Sequence, residues 1–194
     1  MTILFIIITA VYIVFISLLQ MAYHKVKTHE FIPNSSSSKF TIVVPFRNEA
    51  NQLEALLHSI KTLKYPKALF EIIMVDDDSA DGSVEIIQSF LEKNQQDKFT
   101  IHILKNKRQS HSPKKDAITT AISHSNFEWI VTTDADCVVP ELWLKNFDSF
   151  IELKEPKLIV APVGYAISKS ILDYFQLHDF LSLQTATVGG FGIG

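Results

Sequence analysis

"EIIMVDDDSADGS", Glu71 to Ser83, joins an apolar, β-branched run to five acidic or hydroxyl side chains in six positions. The apolar half does not alternate with polar residues, as expected of a strand covered on both faces. In the polar half Asp76, Asp77, Asp78 and Asp81 repel one another, so the turn has to serve a cation, backbone donors or a polar ligand. Two patterns fit. Asp77-x-Ser79-x-Asp81-Gly82 matches the start of an EF-hand calcium loop, which takes oxygens at alternate positions and turns on glycine. The other pattern is a strand whose carboxyl end delivers carboxylates to a nucleotide or a metal-bound phosphate. Context rejects the first: position twelve is Gln88 in place of a bidentate Glu, and a strand enters the loop where a helix is required.

Working outward, the same strand-then-helix rhythm repeats. "FTIVV" (40–44) precedes a helical pattern over 50–63 with Leu53, Leu56, Leu57 and Ile60 on one face. "FEIIMV" (70–75) precedes "GSVEIIQSFLEKN", and "FTIHIL" (99–104) precedes "KKDAITTAISHS". "EWIVTTD" (128–134) precedes "PELWLKNFDSFIEL", in which Pro140 suits a first helical turn. "KLIVAPV" (157–163) reads as a fifth strand. Such alternation predicts an α/β fold with a mostly parallel, Rossmann-like sheet flanked by helices. Ligands of these sheets bind outside the carboxyl ends of the strands, where loops and helix N-termini converge. Three of those ends are polar: "PFRNEA" (45–50), "DDDSADGS" (76–83) and "TTDADC" (132–137).

Asp134-Ala135-Asp136 is the most informative triplet. Alternation along an extended backbone would point both carboxylates the same way, suited to a divalent cation that shares its shell with a diphosphate and water. Asp76 and Asp77 can accept hydrogen bonds from a base imide and from ribose hydroxyls, while Asp81 and Ser79 suit a cap for the helix starting near Ser83. Lys114 and Lys115 follow Pro113 just ahead of a helix, where the dipole disfavours a cation; phosphate or base contact and simple solvation both fit. Arg47 and Glu49 can form a surface ion pair. Cys137 reads as a packing residue, and "GGFGIG" (189–194) follows a helix-like stretch, which argues against a dinucleotide loop.

Ahead of this domain, residues 3–22, "ILFIIITAVYIVFISLLQMA", carry no charge. About twenty residues at ~1.5 Å each span the roughly 30 Å of a bilayer core. The span lacks the basic start, the short apolar length and the small-residue cleavage site of a signal peptide. Lys25 and Lys27 follow it, so the positive-inside bias places the remainder in the cytoplasm. Residues 1–24 are thus expected to be a transmembrane helix with its flank and residues 25–38, Ser-rich and holding Pro33, a flexible tether. Residues 39–194 form the expected globular domain. The net charge of −3, with no basic stripe beyond "KNKRQSHSPKK" (105–115), excludes a nucleic-acid binder. A single cysteine excludes an internal disulfide, and the seven histidines lack zinc-motif spacing.

"FTIVVPFRNEANQLEALLHSI", "EIIMVDDDSADGSVEII", "KKDAITTAI" and "WIVTTDADCVVPELWL", in that order and spacing, resemble the nucleotide-binding half of family 2 glycosyltransferases with the GT-A fold. The resemblance covers roughly residues 40–150. It implies a nucleotide-sugar donor, most often a uridine diphosphate sugar, a Mn2+ or Mg2+ ion, inversion at the anomeric carbon and a saccharide or lipid-linked acceptor. It places Pro45 and Glu49 in the first donor loop, Asp76 and Asp77 at uracil and ribose, Lys114 near the nucleotide, and Asp134 and Asp136 at the metal. Asp78 stands where the family commonly has glycine. The family's general base, in an acidic pair well beyond the metal site, has no counterpart among Glu141, Asp148, Glu152, Glu155, Asp173 and Asp179. The expectation is a membrane-anchored transferase represented by its donor-binding half, interrupted before the acceptor half. The alternative is a non-catalytic remnant or interaction module that keeps the fold and the anchor.

Overall fold

The structure, a computed structural model, describes residues 1–31, 36–97, 100–165 and 170–193. Pro33 of the tether, Phe99 at the head of the third expected strand and Gly194 lie outside the described residues. The chain divides into two compact units, 31–156 and a second made of 1–30 with 157–194. The division falls differently from the expected one, since 157–194 group with the N-terminal helix.

In the first unit, four strands, β1 (Phe40–Phe46), β2 (Phe70–Asp76), β3 (Thr100–Lys105) and β4 (Trp129–Thr132), form one sheet in the order β3-β2-β1-β4. Every pairing is parallel, with Ile42 beside Ile72 and Val131 and Ile72 beside Ile101. The central strands β1 and β2 are the near-continuous apolar runs, and both are covered on two faces. One face packs Ile42, Val44, Ile72 and Met74 against α2 (Leu53–Lys61), α3 (Ser83–Lys93) and α5 (Trp143–Lys154), through Leu56, Leu57, Ile87 and Leu144. The other packs Val43, Ile73 and Val75 against Ala117 and Ala121 of α4 (Pro113–Ile122).

A buried carboxylate ties the sheet at the end opposite the polar loops. Glu71 accepts hydrogen bonds from Thr41 Oγ1 (2.7 Å), Asn126 N (2.6 Å) and Asn126 Nδ2 (2.7 Å). Burial alone would raise its pKa, but the bonds from Asn126 and Thr41 prevail and hold it below the usual value.

Four expectations are corrected. "KLIVAPV" forms no strand: Leu158, Val160 and Val163 are exposed, and Pro162 lacks the N–H a ladder needs. Pro140 lies outside α5, which starts at Trp143 after a turn closed by Trp143 N to Pro140 O at 2.9 Å. Lys114 and Lys115 fall inside the first turn of α4, not ahead of it. The described end of the tether is held in place, because Ser37 N and Ser38 N donate to the buried Asp148 carboxylate (3.3 and 2.9 Å) and Tyr65 Oη donates to Ser38 O (2.7 Å).

In the second unit, α1 (Thr2–Tyr23) lies along α6 (Ile171–Ile193). α1 is long and apolar enough to cross a membrane. A Cβ on Gly189 would stand 2.5 Å from Leu19 O, and one on Gly192 would overlap Ala22 O. Only glycine fits at either position. Matching steps of three residues along both helices make the pair parallel.

Candidate functional site

Strand order reverses between β1 and β4, because β2 and β3 lie on one side of β1 and β4 on the other. A crevice opens at the carboxyl ends of such a pair, because the chain leaving β1 runs toward β2 on one side while β4 stands on the other. An open cleft of about 310 Å³ lies there. Pro45, Arg47 and Glu49 line it from the loop after β1, Asp77 from the loop after β2, Lys114 and Ala117 from α4, and Asp134, Ala135 and Asp136 from the loop after β4.

The loops after β1 and β2 are stitched together. Asn48 N donates to Ser79 Oγ (3.1 Å), Glu49 N to Ser83 Oγ (3.0 Å), Ala50 N to Asp81 Oδ2 (3.0 Å) and Ala80 N to Asn48 Oδ1 (2.8 Å). Asn48 and Asp78 adopt left-handed backbone, with φ of 57° and 69°, a region that Asn and Asp tolerate better than most residues. That explains why glycine suits position 78 equally. Asp81 accepts from Ser83 N and Oγ (3.1 and 2.5 Å), but the residue at the head of α3 is Gly82, left-handed at φ 83°. Asp81 therefore serves both the helix start and the neighbouring loop, and Ser79 serves the loop.

Asp76 and Asp77 part ways. Asp76 is buried outside the cleft lining, and its Oδ1 accepts from Ser79 N at 2.9 Å, closing the turn. Asp77 faces the cleft but is gripped from behind. Arg108 Nε donates to Oδ1 and Nη2 to Oδ2, each at 2.7 Å, and Asn106 Nδ2 donates to Oδ1 at 2.7 Å. Arg47 pairs with Oδ2 at 3.8 Å and not with Glu49. The Arg108 hydrogen bonds, which outweigh burial, together with Asn106 and the two guanidinium charges hold the Asp77 pKa below its ordinary value. Three of its roughly four lone-pair sites are taken, which leaves Oδ2 room for one further donor. Arg108 and Asn106 were missed by sequence reading. Their signal lies in the sequence, since both follow β3 at a fourth polar strand end, "KNKR" (105–108).

The Asp134–Asp136 segment is not extended. β4 ends at Thr132, and a turn closed by Cys137 N to Asp134 O (3.3 Å) carries the triplet. Both carboxylates nevertheless line the cleft. Lys114 Nζ lies 2.5 Å from Asp134 Oδ1. Burial, followed by repulsion from Asp136, Asp81 and Asp134, pushes the Glu49 pKa up. This wall thus carries an excess of negative charge. Carboxylate oxygens are the donors that Mn2+ and Mg2+ take, and no group of three metal-binding side chains forms among the described residues. The donor set fits an ion that keeps much of its shell on phosphate and water. Of the later acids in this unit, Glu141, Asp148, Glu152 and Glu155 lie outside the cleft lining.

Comparison with known proteins bears on the fold and the family. A poly(ribitol-phosphate) beta-N-acetylglucosaminyltransferase, TarS of Staphylococcus aureus, is 26% identical over 114 residues, 59% of this chain and 19% of its own. A poly-beta-1,6-N-acetyl-D-glucosamine synthase of Staphylococcus epidermidis is 31% identical over 142 residues, 70% of this chain and 31% of its own. The chain thus spans about a fifth to a third of the length of these relatives. Among solved structures, S. aureus TarS 1-349 in complex with UDP-GlcNAc superposes with a TM-score of 0.54 at 23% identity, over 68% of this chain and 38% of that one. The mannosyltransferase PcManGT from Pyrobaculum calidifontis, in complex with GDP-Man and Mn2+, superposes at 0.63 and 23%, over 89% of this chain and 48% of that one. The fold is thus that of the GT-A glycosyltransferases. The model of "Glycosyl transferase family 2" matches residues 41–189, well over half of the sequence. The chain belongs to glycosyl transferase family 2.

Proposed function

We propose that the cleft between β1 and β4 binds a nucleotide-sugar, a uridine diphosphate sugar foremost, as the donor half of a glycosyltransferase. The observation that carries this is convergence: Pro45, Glu49, Asp77, Lys114, Asp134 and Asp136, drawn from four separate sequence motifs, line one cleft at the reversal of strand order. The UDP-GlcNAc complex of TarS and the named N-acetylglucosaminyltransferase relatives support a uridine donor.

Asp77, with one free acceptor position beside Arg47, suits a base or ribose donor. Arg47 and Lys114 supply positive charge for the diphosphate. Asp134 and Asp136 would hold Mn2+ or Mg2+, which supplies charge to stabilise the departing diphosphate. Asp76 acts behind the site by closing the loop that presents Asp77. Transfer to a saccharide or lipid-linked acceptor, with inversion, belongs to the protein as a whole. α1 serves as its membrane anchor, and the basic residues after it favour a cytoplasmic domain.

Calorimetric titration of the full chain in detergent with UDP tests the proposal. Binding should require Mn2+ and weaken by at least about tenfold, ~1.4 kcal/mol, in Asp136→Ala. Metal-independent binding, or an unaffected variant, would refute it.

A further inference from the structure

Lys114 stands where a positive charge is wanted. Its Nζ is 2.5 Å from Asp134 Oδ1, and the two side chains are 60% and 55% exposed. The pair is an exposed, charge-assisted hydrogen bond in which Nζ donates to Oδ1. Lys114 also lies in the first turn of α4, whose dipole disfavours a cation. Its ammonium is therefore held by Asp134 in spite of the dipole of its own helix. One of the two carboxylates offered to a metal ion thus already has an ammonium partner. No third protein ligand joins the pair to offset the loss of that partner, since the described residues hold no group of three.

Resting on the nucleotide-site reading above, we infer that Lys114 is an internal counter-ion of Asp134 that an arriving metal ion has to displace. A bound diphosphate gives the ammonium a second anionic partner within the same cleft, freeing Asp134. Nucleotide occupancy then raises metal affinity and, by reciprocity, metal occupancy raises nucleotide affinity. Lys114 becomes the element that keeps the site from loading with metal ahead of the donor.

The test is Mn2+ binding by the full chain in detergent, followed by electron paramagnetic resonance with and without UDP. Lys114→Met should bind Mn2+ alone about fivefold or more tighter than wild type, within the roughly 5–150-fold range of coupled sites. Its gain on adding UDP should shrink correspondingly. Lys115→Met, which removes the same charge one residue along without a contact to Asp134, should stay within about twofold of wild type. Unchanged Mn2+ affinity in Lys114→Met, or an equal gain in Lys115→Met, overturns the inference. If wild type binds no UDP at saturating Mn2+, this inference and the nucleotide-site reading fall together. If wild type binds UDP with Mn2+ and Lys114→Met does not tighten Mn2+, this inference falls alone.

Discussion

Asp77 shows how a carboxylate that lines a cleft can also be a structural part. Its two-pronged bond to Arg108 fixes the plane of the carboxylate, because the guanidinium fork has one matching geometry. The lowered pKa gives the pH dependence its sign. A carboxyl whose folded pKa is depressed adds stability above its ordinary titration range, and that part is lost as pH falls through the lowered value. Arg108→Gln should therefore melt below wild type near neutral pH, with the gap narrowing as the pH falls below the ordinary carboxylate range. Thermal melts across that range check it; a gap of constant size would contradict the assigned cause. The same variant should weaken UDP binding without abolishing it, as Asn106 and Arg47 keep Asp77 in place.

At the scale of elements, helices of ordinary amphipathic pattern carry the site on a sheet whose order the sequence did not state. α5 is attached through Leu144, fully buried against the sheet, and through Asp148, which holds Ser37 and Ser38. Leu144→Ala should cost about 2–5 kcal/mol in urea unfolding, the usual range for a buried leucine. The apolar periods of α2 and α3 and the runs of β1 and β2 were legible because each dictates its own burial. The reversal between β1 and β4 was not, because strand order depends on which helix covers which face. "KLIVAPV" failed for a related reason: an apolar run shows strand propensity without showing a partner, and Pro162 removes a donor besides. For Asp134 and Asp136 the expected local geometry was wrong. Their turn aims both at the cleft, though spacing alone suggested an extended backbone.

For the whole molecule, the sheet and its four helices hold a core of their own within residues 31–156. All lining residues of the cleft belong to that unit. A fragment of residues 31–156 should accordingly fold and retain Mn2+-dependent UDP affinity within about tenfold of the full chain. Dispersed amide resonances and calorimetry report on the two parts; a folded fragment that no longer binds would mean residues 157–194 contribute to the site.

The parallel pairing of α1 with α6 sets a condition on topology. Both helices point their C-terminal ends the same way, so between Tyr23 and Ile171 the chain has to come back to the level at which α1 begins. The last described stretch before α6 that is longer than one residue, 157–165, is non-helical and, Ile159 apart, exposed, and Val163 O accepts from the Gln184 side chain partway along α6. Hydrocarbon does not admit irregular backbone facing lipid. A bilayer crossed by α1 cannot also hold this return strand beside it. A bilayer crossed by α1 would thus exclude the seat of α1 on Gly189 and Gly192.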